Sequence, residues 1–130
     1  MRNPILLIVD DEPDIADFAT YVGEDSNYEV ITMSSGKEFQ EAYSLLSPDL
    51  ILMDVAIPDI DAVGLLEWLS KQQGKHAPVI LMSGHGDYML NWAKTVGTEA
   101  GLSILGTMSK PVAYDDLKKV LSDVRVELSK

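Results

Sequence analysis

Short apolar runs alternate with segments of helical periodicity along this chain, and the alternation repeats five times. Ile5-Leu6-Leu7-Ile8-Val9, Leu50-Ile51-Leu52-Met53 and Val79-Ile80-Leu81-Met82 are continuously apolar, as expected of strands covered on both faces. Tyr28–Met33 and Ser103–Ser109 read as two further strands. Between them, Ile15, Phe18, Ala19 and Val22 follow the 3.6-residue period behind Asp14, a candidate helix cap, and Asp25-Ser26-Asn27 ends that helix. Ser34-Ser35-Gly36 opens a second helix carrying Phe39, Ala42, Tyr43 and Leu46, closed by Ser47-Pro48. Val63–Leu69, the segment with Met89, Trp92, Ala93 and Val96, and the Leu117, Leu121, Val124, Leu128 series supply three more. Strands that alternate with helices predict an α/β fold: a doubly wound parallel sheet with helices on both faces. Residues 1–130 form one domain, a length that suits a single core.

Composition narrows the function classes. With 46% hydrophobic residues the chain is not disordered, and no run approaches the ~18 apolar residues of a membrane span. The opening Met1-Arg2-Asn3-Pro4 leads into a run too short for a secretory signal. The absence of cysteine removes disulfides, thiol nucleophiles and thiolate metal sites, and a cytoplasmic setting is expected. A net charge of −11 argues against a general nucleic-acid surface, since each phosphate contact needs a local cation.

The chemistry lies where the strands stop. The first run ends at Asp10-Asp11-Glu12, the third strand at Asp54, the fourth at Ser83 and the fifth at Lys110-Pro111. In a parallel sheet all these groups emerge at one carboxyl edge, and in the order 2-1-3-4-5 the crevice lies between strands 1 and 3. Asp10, Asp11 and Asp54 would meet there. Two like charges about 4 Å apart repel by roughly 4 kcal/mol at an effective dielectric near 20. A divalent cation relieves that, and oxygen-only ligands favour Mg²⁺.

Val9-Asp10-Asp11-Glu12-Pro13, Met53-Asp54-Val55-Ala56-Ile57-Pro58-Asp59-Ile60-Asp61, Met82-Ser83-Gly84 and Ser109-Lys110-Pro111 resemble the receiver domain of two-component response regulators. The resemblance covers nearly the whole chain, with each motif in order at a strand end. It implies a flavodoxin-like sheet, and it implies roles. Asp54 would accept a phosphoryl group from a phosphohistidine on a sensor histidine kinase or phosphotransfer protein. Asp11, Asp54 and the Ala56 backbone carbonyl would bind Mg²⁺, with Asp10 acting through water. Ser83 and Lys110 would contact the phosphoryl group and draw in the loops after strands 4 and 5, shifting the fourth-helix face. The Lys110-Pro111 bond is expected to be cis. Such a domain is not an enzyme in the usual sense; it catalyses only its own phosphorylation and dephosphorylation.

Other features read as ordinary structure. Ser35-Gly36-Lys37 lacks the preceding glycine and following hydroxyl of a phosphate loop. Asp59 and Asp61 read as loop and capping acids, and Trp68, Trp92 and the methionines as packing. The flank of the last helix is a candidate homodimer surface.

Departures from the family pattern are more specific. The position three before the lysine, usually Tyr or Phe, is Thr107, so aromatic burial there cannot report phosphorylation. Asp59 and Ala62 replace loop glycines. Ala56 and His85 flank the path of a hydrolytic water and should tune phosphoryl lifetime. The stretch from Ser83 to Lys110 is a few residues longer than in chemotaxis-type receivers. Its segment Glu99–Pro111 looks like receivers fused to EAL-type cyclic-di-GMP phosphodiesterase domains, so a C-terminal output domain of that type is one expectation. Two other classes compete. A degenerate receiver used only for interaction is favoured by Thr107. A small Mg²⁺-dependent phosphohydrolase is disfavoured by Glu12-Pro13, which interrupts the haloacid-dehalogenase-like pattern.

Overall fold

The computed structural model describes residues 2–84 and 86–130, with the backbone alone at 86–88. Five strands, β1 (Ile5–Val9), β2 (Glu29–Met33), β3 (Leu50–Asp54), β4 (Val79–Ser83) and β5 (Ile104–Ser109), alternate with five helices. These are α1 (Pro13–Asp25), α2 (Gly36–Leu46), α3 (Ala62–Ser70), α4 (Gly86–Glu99) and α5 (Tyr114–Leu128). Every pairing is parallel and the sheet order is β2-β1-β3-β4-β5. The expected doubly wound architecture is the one observed.

Strand alternation splits the core in two. Leu7, Val9, Ile51, Met53, Val79 and Leu81 face α2, α3 and α4, where they meet Phe39, Leu65, Leu66 and Ala93. Leu6, Ile8, Leu50, Leu52, Ile80 and Met82 face α1 and α5, against Val22, Leu117 and Leu121. The three central strands β1, β3 and β4 are buried throughout, which is why their sequences lack polar alternation. Full burial of one such side chain stabilises by about 1.5–3 kcal/mol. This layer therefore fixes the positions of the residues at its ends.

Helix ends follow local chemistry. The α1 helix starts with Pro13 in its first turn and Glu12 at the N-cap, without a side-chain cap. Asp14 therefore does not cap it but sits inside the first turn, where proline's preset φ starts the helix and the carboxylate meets the dipole. At its far end Tyr28 N–H donates to Gly23 C=O (3.0 Å) and Asn27 N–H to Glu24 C=O (3.1 Å), with Asn27 left-handed at φ 68°. The same paired closure ends α4, where Leu102 N–H reaches Gly97 C=O and Gly101 takes φ 92°. Ser35 caps α2 by accepting from Glu38 N–H, which is the ordinary role expected of Ser35-Gly36-Lys37. Asp61 caps α3 through Gly64 N–H at 2.8 Å.

Trp68 packs edge-on against Phe39 and Tyr43, as expected. Trp92 lies outside the buried core: it is 57% exposed on α4 and lines a depression with Val63 and Met89, while Leu90 and Ala93 supply that helix's buried stripe. On the opposite layer, the Tyr28 hydroxyl donates to the Leu121 carbonyl at 2.8 Å, and burial pushes the phenol pKa up to about 12.

The β4–β5 pairing contains an irregularity. Val79 pairs with Ile104, but Ile80 pairs with Gly106, so Leu105 is an extra residue in β5. From Gly106 onward each residue faces the opposite way from an uninterrupted count. That places Met108 in the α1–α5 core and Thr107 opposite Leu81, on the α4 side.

Candidate functional site

Three strand ends and one lysine converge at the carboxyl edge. Asp54 is the last residue of β3, and its side chain is held below the surface by the buried strand behind it. Its Oδ1 accepts from Ala56 N–H at 3.1 Å, while Val55 N–H donates to the Met82 carbonyl at 2.9 Å. These bonds turn the chain sharply after the carboxylate. Asp10 follows β1 and is equally buried, and its Oδ1 accepts from Glu12 N–H at 2.9 Å. This Asx turn folds Glu12 back over the crevice.

Lys110 reaches in from the end of β5. Its backbone N–H donates to the Ser83 carbonyl at 2.8 Å, and the Lys110-Pro111 peptide is cis, as the resemblance implied. Its Nζ lies 2.9 Å from Asp10 Oδ2, 2.8 Å from Glu12 Oε1 and 3.0 Å from Asp54 Oδ2. Three carboxylates around one ammonium leave two negative charges in excess, most of them out of water.

The consequences for protonation differ by residue. Burial raises the Asp10 pKa, against the pull of the Glu12 amide and Lys110, and Asp54 adds to the rise. Burial also works against the charge on Lys110, but its ion pairs with Glu12, Asp10 and Asp54 outweigh it and hold the pKa above its usual value. The lysine is a fixed cation. Asp10 Oδ2 is in ion-pair contact with it yet receives no directed hydrogen bond, despite being buried. A buried, under-satisfied carboxylate oxygen is costly, and a hydrated cation with an oxygen-ligand preference would satisfy it.

The residues singled out in the sequence are not all gathered together. Among the described residues, a carboxylate set within 4.8 Å is formed by Asp10, Glu12 and Asp54. Asp11 is exposed and lines an open depression with Asp17, Thr32, Ser34 and Glu38 on the β2 side. Ala56 is exposed two positions beyond Asp54. Ser83 is buried at the end of β4, in register with Ser109. Thr107 is exposed on β5. His85 lies outside the described residues.

Two residues were given lesser parts by sequence reasoning. Glu12 is a direct partner of Lys110, a placement that the Asp-x-Glu turn could have signalled. Asp59 does more than sit in its loop. Its two carboxylate oxygens accept from Gly36 N–H at 2.8 Å and Lys37 N–H at 2.9 Å, capping a helix 22–23 positions away. No local pattern announces that contact.

Residues 6–122 match the family described as response regulator receiver domain. The chain belongs to that family. The receiver is 33% identical over 109 residues to the alkaline phosphatase synthesis transcriptional regulatory protein PhoP of Bacillus subtilis, covering 84% of this chain and 43% of that protein. It is 31% identical over 84 residues to the polar-differentiation response regulator DivK of Brucella ovis, covering 64% and 68%. Among solved structures, the receiver domain of NtrX from Brucella abortus superimposes with a TM-score of 0.79 at 26% identity, covering 94% and 98%. A CheY-like receiver from Methanospirillum hungatei reaches 0.82 at 24% identity, covering 98% and 97%, and supports the fold alone. The receiver spans less than half of PhoP and 45% of the positive alginate biosynthesis regulatory protein of Pseudomonas aeruginosa. Among the described residues no helix is long and apolar enough to cross a membrane.

Proposed function

We propose that this receiver takes a phosphoryl group onto Asp54 from a phosphohistidine of a sensor kinase or phosphotransfer protein, with Mg²⁺ bound beside it. The observation that carries the reading is the Lys110 ammonium held 3.0 Å from the buried Asp54 carboxylate, with Asp10 across from it. An Asp54 oxygen forms the new P–O bond as the P–N bond breaks, and the electron pair leaves with the imidazole. Most of the work is positioning and charge neutralisation. Lys110 exchanges a carboxylate partner for a phosphoryl oxygen, and Ser83, at the neighbouring strand end, supplies a hydroxyl to another.

The residues fit a divalent cation. Asp11, Asp54 and the Ala56 carbonyl would hold it, with Asp10 acting through water. When bound, Mg²⁺ supplies positive charge to the phosphoryl oxygens. Asp11 is exposed, so its carboxylate starts hydrated and is recruited from solvent. The output reading is a shift in the loops after β4 and β5 and in the α4 face, with Lys110 and Ser83 as the transmitting residues. The Glu99–Pro111 segment supports an EAL-type output domain; a phosphorylation-dependent change in cyclic-di-GMP hydrolysis by the natural gene product tests that part.

Intact-mass measurement with acetyl phosphate and Mg²⁺ tests the acceptor. One phosphoryl addition to the parent chain, absent in Asp54→Asn, is expected. No addition to the parent chain would favour an interaction module that is never phosphorylated. Repeated turnover of free phosphomonoesters would favour a phosphohydrolase.

A further inference from the structure

The loop that follows Asp54 is pinned to a helix that has no part in the chemistry. It begins at Val55, whose N–H is bound to β4, and Val55 and Ile57 are both buried. Ala56 lies between them, exposed beside the carboxylate crevice. The loop ends at Asp61, which caps α3. Its middle is held by Asp59, whose carboxylate oxygens each accept one of the first two N–H groups of α2. These donors have no partner within the helix, and the positive end of the helix dipole favours an anion there. Next to Asp59, Ile60 fills the space over Gly36 and Gly64. A Cβ at Gly36 would stand 3.0 Å from Ile60 Cβ, and one at Gly64 would stand 3.2 Å from Ile60 Cγ2. The absence of side chains at both glycines lets the loop lie directly on the two helix starts.

The α2 helix does not need Asp59 to begin. Ser35 already caps it locally through Glu38 N–H. The bidentate contact therefore constrains the loop as much as it completes the helix. We propose that Asp59 is a positioning residue for the metal: by fastening the 55–61 loop to α2, it sets the main chain at Ala56 so that its carbonyl is presented to Mg²⁺. The inference rests on the Mg²⁺ site proposed above and deepens it. Coupling is reciprocal, so bound cation also tightens the start of α2.

The test is Mg²⁺ titration by calorimetry with amide hydrogen exchange on the intact chain. Asp59→Ala should weaken Mg²⁺ binding by about tenfold, the lower end of the range for residues that orient a metal's ligands. Ser35→Ala should lower unfolding stability while leaving Mg²⁺ affinity within about twofold of the parent, since a local cap does not reach the loop. Asp17→Asn removes an exposed carboxylate of α1 and controls for charge alone. In the parent chain, Mg²⁺ should slow exchange of the Gly36 and Lys37 amides, and in Asp59→Ala that slowing should vanish. Unchanged affinity in Asp59→Ala overturns the proposal. An equal loss in Ser35→Ala or Asp17→Asn also overturns it, by reducing the effect to helix stability or to charge. If the parent chain binds no Mg²⁺, the metal site itself is wrong and the Asp59 role falls with it.

Discussion

The two halves of the carboxyl edge are joined by opposite means. On the β1–β3 side, side chains make the connection: Asp10, Glu12 and Asp54 close on Lys110, and the first and third are buried. On the β4–β5 side, the backbone and close packing do so. Lys110 N–H meets the Ser83 carbonyl, and Gly97 of α4 comes so near β5 that a Cβ there would stand 2.9 Å from Ile104. Leu105, Thr107 and Ser109 meanwhile face solvent. A site held by desolvated charges responds steeply to any added charge. An edge held by packing can move without leaving a charge unpaired. Lys110 and Ser83 belong to both halves, so under the proposed function a phosphoryl group at Asp54 would act on the second half through them.

The most severe way to break this comparison is Lys110→Ala. It leaves buried carboxylates with no cation, and removing one partner of such a pair costs about 3–5 kcal/mol. Denaturant unfolding should show that loss, and saturating Mg²⁺ should stabilise the variant more than the parent, because the cation binds the folded state only. Equal stabilisation of both proteins would mean that Lys110 and the metal do not neutralise the same charges. Gly97→Leu tests the other half. Overpacking against Ile104 should cost about 1–3 kcal/mol while Mg²⁺ affinity stays at the parent value. A drop in affinity would show that the halves are not separable.

A smaller effect is expected from acid. The Gly36 and Lys37 N–H groups hold the Asp59 carboxyl below its ordinary value of 3.8. A depressed folded-state pKa means that the contribution is complete above 3.8 and is lost as pH falls through the lower, folded value. The stability gap between the parent and Asp59→Asn should therefore be constant near neutrality and shrink only below that value; a gap that is unchanged in strong acid would contradict the contact. Thr107→Ala should be the mildest change, within about 0.5 kcal/mol by thermal unfolding, as expected for an exposed edge residue away from special geometry. It should leave acceptor chemistry intact. A larger loss would mean that Thr107 carries part of the α4–β5 junction.

How well each part could be foreseen follows from the range of the interactions. Continuous apolar runs force β1, β3 and β4 into the sheet interior, so the residues after them could only emerge at its edge. Asp10, Asp54 and Ser83 were legible for that reason. Asp11 was expected in the crevice because it follows β1 in the order 2-1-3-4-5, but the turn that sinks Asp10 leaves Asp11 exposed. Asp14 illustrates a local competition, with Pro13 starting the helix one residue ahead of the residue expected to cap it. Trp92 was read from its spacing as packing, but Leu90 and Ala93 already complete the buried stripe of α4. The Asp59 contact joins a loop to a helix start 22–23 positions away, and nothing near either end encodes the other.

The extra residue Leu105 makes the fifth strand a shifted reading frame. Counted back from Lys110, residues 106–109 keep step with the end of β4; counted forward from Ile104, they are out of step by one. Aligning this strand residue for residue with a receiver that lacks the insertion would therefore match inward positions to outward ones upstream of the bulge. Deleting Leu105 would make Ile104 and Gly106 consecutive opposite Val79 and Ile80, giving an uninterrupted ladder in which Ile104, Thr107 and Met108 all keep their present faces. The parity of β5, more than the identity of residue 107, decides which side chains the fourth helix meets.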